Sequence, residues 1–194
     1  EILDRYEMAF NELPDLNRDH RFRIEHAQHL HPEDIPRFAA LGVIPAMQAI
    51  HLSSDRPWAI DRLGEQRIKE GAYMWQTLLK SGIPVVNGTD VPVEPLNPIP
   101  SFYAGVTRKT LKGIPEEGYE PSERMTREQA LRSYTLDAAY GAFEEGIKGS
   151  ITPGKLADFT IYNRDLMTVP EDEILSTEVV MTIFDGQVVY EKED

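Results

Sequence analysis

The sequence contains no cysteine. Disulfides and thiolate metal sites are therefore excluded, and any metal must be held by His, Asp, Glu or a modified Lys. Long apolar runs are missing too: none approaches the roughly 20 residues needed to span a bilayer, and no signal peptide is visible. No membrane partner is expected, and the expected location is the cytoplasm. Positive charge is scarce, with 20 Lys and Arg against 33 Asp and Glu and a net charge of −13. That balance argues against a nucleic-acid partner, because phosphate binding needs clustered Lys and Arg. Internal repeats and low-complexity tracts are absent. What is present is ordinary for a globular chain, 41% hydrophobic and 27% charged residues over 194 positions, room for one large domain or one and a half small ones.

Within this unremarkable background one segment carries chemistry. The apolar run Ile83-Pro84-Val85-Val86 is followed by Gly88-Thr89-Asp90. A β-branched run ending in small residues and then an acid reads as a buried parallel strand that delivers a carboxylate at its C-terminal end. In barrel enzymes that edge holds the catalytic groups. A second strand-like run, Phe22-Arg23-Ile24, ends in Glu25-His26. A histidine and an aspartate at two strand ends are the side chains on which hydrolytic zinc sites draw most.

The rest of the chain alternates strands and helices. Residues Glu1 to Leu13 read as an amphipathic helix that starts without a cap, as in a chain that begins mid-fold. A leader unrelated to the fold is the alternative. A helix from Pro32 to about Leu41 closes at Gly42, a strand follows at Val43–Met47, and a loop carries His51, Asp55 and Trp58. A helix is predicted near Glu65–Lys80, then the strand Pro84–Asn87, then a proline-rich loop from Val91 to Pro121. Thr126 with Gln129 forms a capping-box pattern opening a helix to about Tyr140. Strand-helix alternation implies a parallel sheet with crossover helices, hence part of an α/β barrel or an open α/β sheet. From about Gly146 the composition changes to turn residues and short strands, with Asp185-Gly186 as a hairpin signal. Residues 146–194 thus read as a small β unit, too short to stand alone, and 1–145 as the α/β part.

Four segments in order, Arg23-Ile24-Glu25-His26-Ala27-Gln28, Met47-Gln48-Ala49-Ile50-His51, Gly88-Thr89-Asp90-Val91-Pro92-Val93-Glu94 and Gly149 to Asp158, carry a family resemblance. Together they resemble the C-terminal part of the amidohydrolase superfamily, in the amidohydrolase-3 branch that includes N-substituted formamide deformylases. The resemblance implies about strands six to eight of a (β/α)8 barrel plus part of a small β-sandwich. It implies that His26 ends strand six and binds a metal, and that Asp90 ends strand eight, touches a metal and acts as general base on the activated water. The cofactor it implies is zinc or another divalent metal, one or two ions, and the substrate a small amide or N-acyl compound. The family's strand-one histidine pair, strand-four bridging acid or modified lysine, and strand-five histidine have no counterpart in these residues. The chain is therefore expected to need the missing N-terminal part of the barrel and to be inactive alone.

Each candidate also has a plainer reading. His26 could be a strand-end histidine satisfied by a carbonyl, and Asp90 could cap the next segment. His29 and His31 read as loop residues with no face in common with His26, and His20 as solvated. His51, on the presumed active edge, is a substrate-facing candidate, and Trp58 beside it could line the pocket. Tyr73 and Trp75 read as packing, Glu94 as a loop acid and Asp158 as structural. Three functions stay open: the C-terminal part of a metal-dependent hydrolase of C–N bonds, one chain of a split enzyme, and a non-catalytic remnant binding partners through a sheet edge. A homo-oligomer is compatible with all three.

Overall fold

In the computed structural model, which describes residues 1–13, 15 and 19–193, three short segments pair side by side. They are β1 (Arg23–Glu25), β2 (Ile44–Met47) and β3 (Val86–Asn87), in the order β1-β2-β3. Both pairings are parallel, with Ile24 opposite Pro45 and Met47 opposite Asn87. Parallel pairing brings all three C-terminal ends to one edge. The central strand β2 is buried along its whole length, which is why its sequence reads as an unbroken apolar run.

The helix α1 (Ile2–Glu12) buries Leu3 and Phe10. Phe10 stacks on the His20 ring at 4.4 Å between centroids. His20 is thereby corrected from a solvated residue to a packed one: its Nε2 lies 2.9 Å from the Leu41 carbonyl oxygen, and the Phe22 N–H donates to its Nδ1 at 3.0 Å. With both ring nitrogens engaged by backbone, His20 ties the start of β1 to the end of α2 (Ile35–Leu41). That helix stops at Gly42, whose φ of 65° is the left-handed cap conformation.

Between β2 and β3 the chain is more helical than its sequence predicts. The expected loop at His51–Trp58 is α3 (His51–Ser54) and the start of α4 (Arg56–Leu63). The expected single helix near Glu65–Lys80 is two, α5 (Glu65–Gly71) and α6 (Trp75–Lys80). The break is caused by strand-like pairing. Leu30 N–H donates to the Gly71 oxygen at 2.7 Å, Tyr73 N–H to the Gln28 oxygen at 2.9 Å, and His29 bridges Ala72. Extended backbone at Ala72 followed by left-handed backbone at Tyr73 (φ 54°) cannot continue a helix.

The proline-rich passage contains α7 (Ile99–Thr107), buried along nearly its whole length. Pro98 and Pro100 sit at its start, where a missing N–H costs nothing, so prolines that read as loop in fact open a helix. Thr126 and Gln129 make the predicted capping box ahead of α8 (Arg127–Tyr134). The helix then resets at Thr135 into α9 (Leu136–Gly141).

The C-terminal segment forms an antiparallel three-stranded sheet of β4 (Phe159–Tyr162), β5 (Val179–Phe184) and β6 (Gln187–Glu191). Asp185 and Gly186 have φ of 50° and 74°, as a two-residue hairpin turn with two left-handed positions requires. Asp158 accepts the Asp185 N–H at 2.8 Å, a structural role. Between β4 and β5 the chain folds back over the helices. Arg127 donates to the carbonyls of Leu166 and Val169 at 2.5 Å each. Leu166, Val169 and Ile174 join the same core as Phe38, Trp75 and Phe102. Among the described residues no helix is long and apolar enough to cross a membrane.

Candidate active site

The C-terminal ends of the parallel strands converge. His26 follows β1 directly and Asp90 lies three residues beyond β3. Both leave their strands through left-handed backbone, φ 68° at His26 and 61° at Asp90. Such a conformation is uncommon outside glycine, and residues held in it cluster at functional sites. The turn re-aims each side chain across the sheet edge. His26 Nδ1 lies 3.8 Å from Asp90 Oδ2, and His51 Nε2 lies 3.9 Å from the same oxygen. The two imidazoles face one another with centroids 6.3 Å apart. His26, His51 and Asp90 are thus brought together on one carboxylate oxygen.

Hydrogen bonds below this edge hold it in shape. Asn87 Oδ1 accepts the Ala49 N–H at 2.9 Å, and Ser101 Oγ accepts the Ile50 N–H at 3.1 Å. The Tyr134 hydroxyl sits between Ser101 Oγ and the Gly88 oxygen; burial pushes its pKa up, so it stays a donor. These buried groups pin the loop after β2 to the end of β3 from beneath.

The histidines are oriented by glutamines. Gln48 Oε1 lies 3.0 Å from His26 Nδ1; in the tautomer that carries its proton on Nδ1 this contact is a hydrogen bond and Nε2 keeps its lone pair. Gln28 Oε1 lies 3.1 Å from His51 Nδ1, while its Nε2 donates to Asp55 Oδ2 at 3.0 Å and to the Tyr73 hydroxyl at 3.1 Å. The Tyr73 hydroxyl donates in turn to the His51 carbonyl at 3.3 Å. Burial raises the Tyr73 pKa, so this hydroxyl keeps its proton.

Other expected positions lie outside the cluster. Trp58 is on α4 and 53% exposed, and takes part in none of the hydrogen bonds just described. His31 caps the turn at Pro32–Asp34 by accepting from the Glu33 N–H. His29 is exposed, with its ring at the edge of the Tyr73 ring and centroids 5.6 Å apart. Glu94 is part-exposed in the loop after Asp90. Sequence reasoning assigns no role to Gln28, Gln48 or Asp55; Tyr73, read as packing, is indeed buried and also hydrogen-bonds Gln28 and the His51 carbonyl. Gln28 and Gln48 nevertheless stand inside the two segments that contain the site histidines, two residues after His26 and three before His51, and a side-chain amide that near in sequence is the signal available.

The amidohydrolase family's sequence pattern matches residues 1–190. The chain belongs to the amidohydrolase family. It is 28% identical over 192 residues to the N-substituted formamide deformylase of Arthrobacter pascens, covering 98% of this chain and 34% of that protein. It is 38% identical over 192 residues to the protein LONG AFTER FAR-RED 3 of Arabidopsis thaliana, covering 97% of this chain and 32% of that one. Among solved structures, an uncharacterised metal-dependent hydrolase of Pyrococcus furiosus superposes with a TM-score of 0.67 at 32% identity, over 86% of this chain and 32% of that chain. The chain therefore spans about a third of the length of the curated relatives it matches, and its structure is a corresponding part of the amidohydrolase fold.

For this amidohydrolase segment, the family's metal can be tested against the residues present. An imidazole with a free Nε2 and a neighbouring carboxylate are the donor types that hydrolytic metal sites use. Among the described residues, however, no group of three or more His, Asp or Glu is arranged to hold an ion. His26 and Asp90 fit as two members of a larger set.

Proposed function

We propose that this chain is the C-terminal part of a metal-dependent hydrolase that cleaves the C–N bond of a small amide or N-acyl substrate. Residues 1–145 then supply strands six to eight of a (β/α)8 barrel, and residues 146–194 part of a β-sandwich, with the remaining strands coming from an N-terminal part. The observation that carries the reading is the meeting of His26 and His51 on one oxygen of Asp90, at the C-terminal edge of a parallel sheet. Barrel enzymes do their chemistry at that edge.

In this reading His26 and Asp90 help to hold zinc or another divalent ion. When bound, such an ion polarises the substrate carbonyl and lowers the pKa of a water towards about 7. Asp90 would take one proton from the attacking water as the water oxygen bonds to the carbonyl carbon. The same carboxyl passes the proton to the leaving nitrogen as the C–N bond breaks, giving an acid and an amine. The Gln48 contact keeps His26 in the tautomer that presents Nε2.

The test is Asp90→Asn in the full-length protein, assayed with simple N-acyl amides after metal loading. Asparagine is among the residues that tolerate left-handed backbone best, so the substitution removes the base while sparing the turn. Turnover should fall by roughly 100-fold or more with an unchanged melting profile. Undiminished turnover in Asp90→Asn would sink the assignment.

A further inference from the structure

His51 is 6% exposed, and its Nε2 is buried without a hydrogen-bond partner. A buried polar atom left unpaired costs free energy, and such atoms call for an explanation. The network behind the ring fixes what kind of partner this one wants. The Gln28 amide nitrogen donates to Asp55 Oδ2 at 3.0 Å, a contact that the amide oxygen, an acceptor, could not make to a carboxylate. The same nitrogen donates to Tyr73, whose own proton goes to the His51 carbonyl. The Gln28 amide therefore cannot flip, and its oxygen faces His51 Nδ1 at 3.1 Å. In the neutral ring the proton sits on Nδ1, and Nε2 is an acceptor. Asp90 Oδ2, 3.9 Å away, is an acceptor as well and leaves it unsatisfied.

We infer that His51 Nε2 receives an N–H of the substrate, so that the site takes an amide retaining a hydrogen on its nitrogen in preference to an ester or an N,N-disubstituted amide. The inference rests on the hydrolase reading for the word substrate and deepens it. A nitrogen whose N–H points at His51 Nε2 also lies beside Asp90, the group that protonates it on departure. His51 thus turns the nitrogen lone pair towards the proton donor. A site built around a buried acceptor rejects ligands that lack the matching donor, because the acceptor then stays unpaired.

The experiment is ¹⁵N NMR of the full-length protein with histidine-selective labelling, titrated with N-methylacetamide and, in parallel, N,N-dimethylacetamide. The expected result is a His51 ring protonated on Nδ1, whose Nε2 resonance moves with N-methylacetamide and stays in place with the dimethyl probe. Gln28→Leu should release the ring to a mixture of tautomers. A proton found on Nε2, an equal response to both probes, or no response to either overturns the inference. So does a displacement of Nε2 by zinc alone, which would make His51 a metal ligand. No turnover enters this readout, so the Asp90→Asn assay can fail while the acceptor role stands, and the reverse.

Discussion

The His29 imidazole contributes to the acid side of this fold's stability. Partial desolvation of its ring lowers its pKa below 6.5, with the nearby Asp55 charge opposing the shift only in part. The unfolded chain then binds the proton more readily than the folded one. The stability that His29 contributes is present above pH 6.5 and is lost as the pH falls through its depressed folded value. His29→Gln should therefore flatten the decline in melting temperature on acidification below about pH 6.5, while changing little at about pH 8. An unaltered acid slope in thermal melts across that range would show that other groups set it. The residue scale is also where the sequence was read unevenly. The strand-end positions of His26 and Asp90 are legible because each follows a run with a strand's composition. The roles of Gln28, Asp55 and Tyr73 are not, because they arise from side-chain contacts across 27 and 45 positions of chain, and no local pattern encodes such pairs.

Single elements were legible where they carried their own punctuation. The capping box at Thr126, the left-handed stop at Gly42 and the Asp185-Gly186 turn all form as read. Two of the misread stretches fail for opposite reasons. In α7 total burial erases the polar face, so no helical period remains to be seen and the flanking prolines dominate the reading. Between α5 and α6 the sequence stays helix-compatible, and tertiary pairing with residues 28–30 overrides it. That pairing depends on Gly71. A Cβ placed there would lie 1.9 Å from the Leu30 carbonyl oxygen, a backbone atom that cannot move aside without breaking the Leu30–Gly71 hydrogen bond. The same strip carries Gln28, which holds His51. Gly71→Ala is expected to destabilise the fold by about 2–4 kcal/mol, in the range of severe packing and backbone lesions, and to loosen the His51 tautomer with it. Urea denaturation measures the first effect and the His51 ¹⁵N spectrum the second. A variant as stable as the parent would mean that the two segments can part without cost.

At the scale of the whole molecule the core is continuous but its surfaces are not those of a closed domain. Fully buried Arg108 shows how firmly the interior is tied. It donates to the carbonyls of Tyr73 and Tyr119, pairs with Glu120, and lies over the Trp75 ring. The outer sheet behaves differently. Along β5 and β6, Phe184, Val188 and Val189 are 63%, 54% and 60% exposed, although their β-branched and aromatic character suits a buried face. β1 likewise stands at the edge of its sheet with one neighbour. Apolar strand faces and unpaired edges are templates for further pairing. On the proposed reading they are the seats of the N-terminal strands of the same barrel and sandwich. The 194-residue chain produced alone should then bind a hydrophobic dye strongly and self-associate with rising concentration. Co-production with the segment that precedes it in the full-length protein should suppress both and yield a stoichiometric complex by size-exclusion chromatography. A chain that stays monomeric and dye-silent alone would show these faces to be self-sufficient, and the barrel-completion argument would fall with that result.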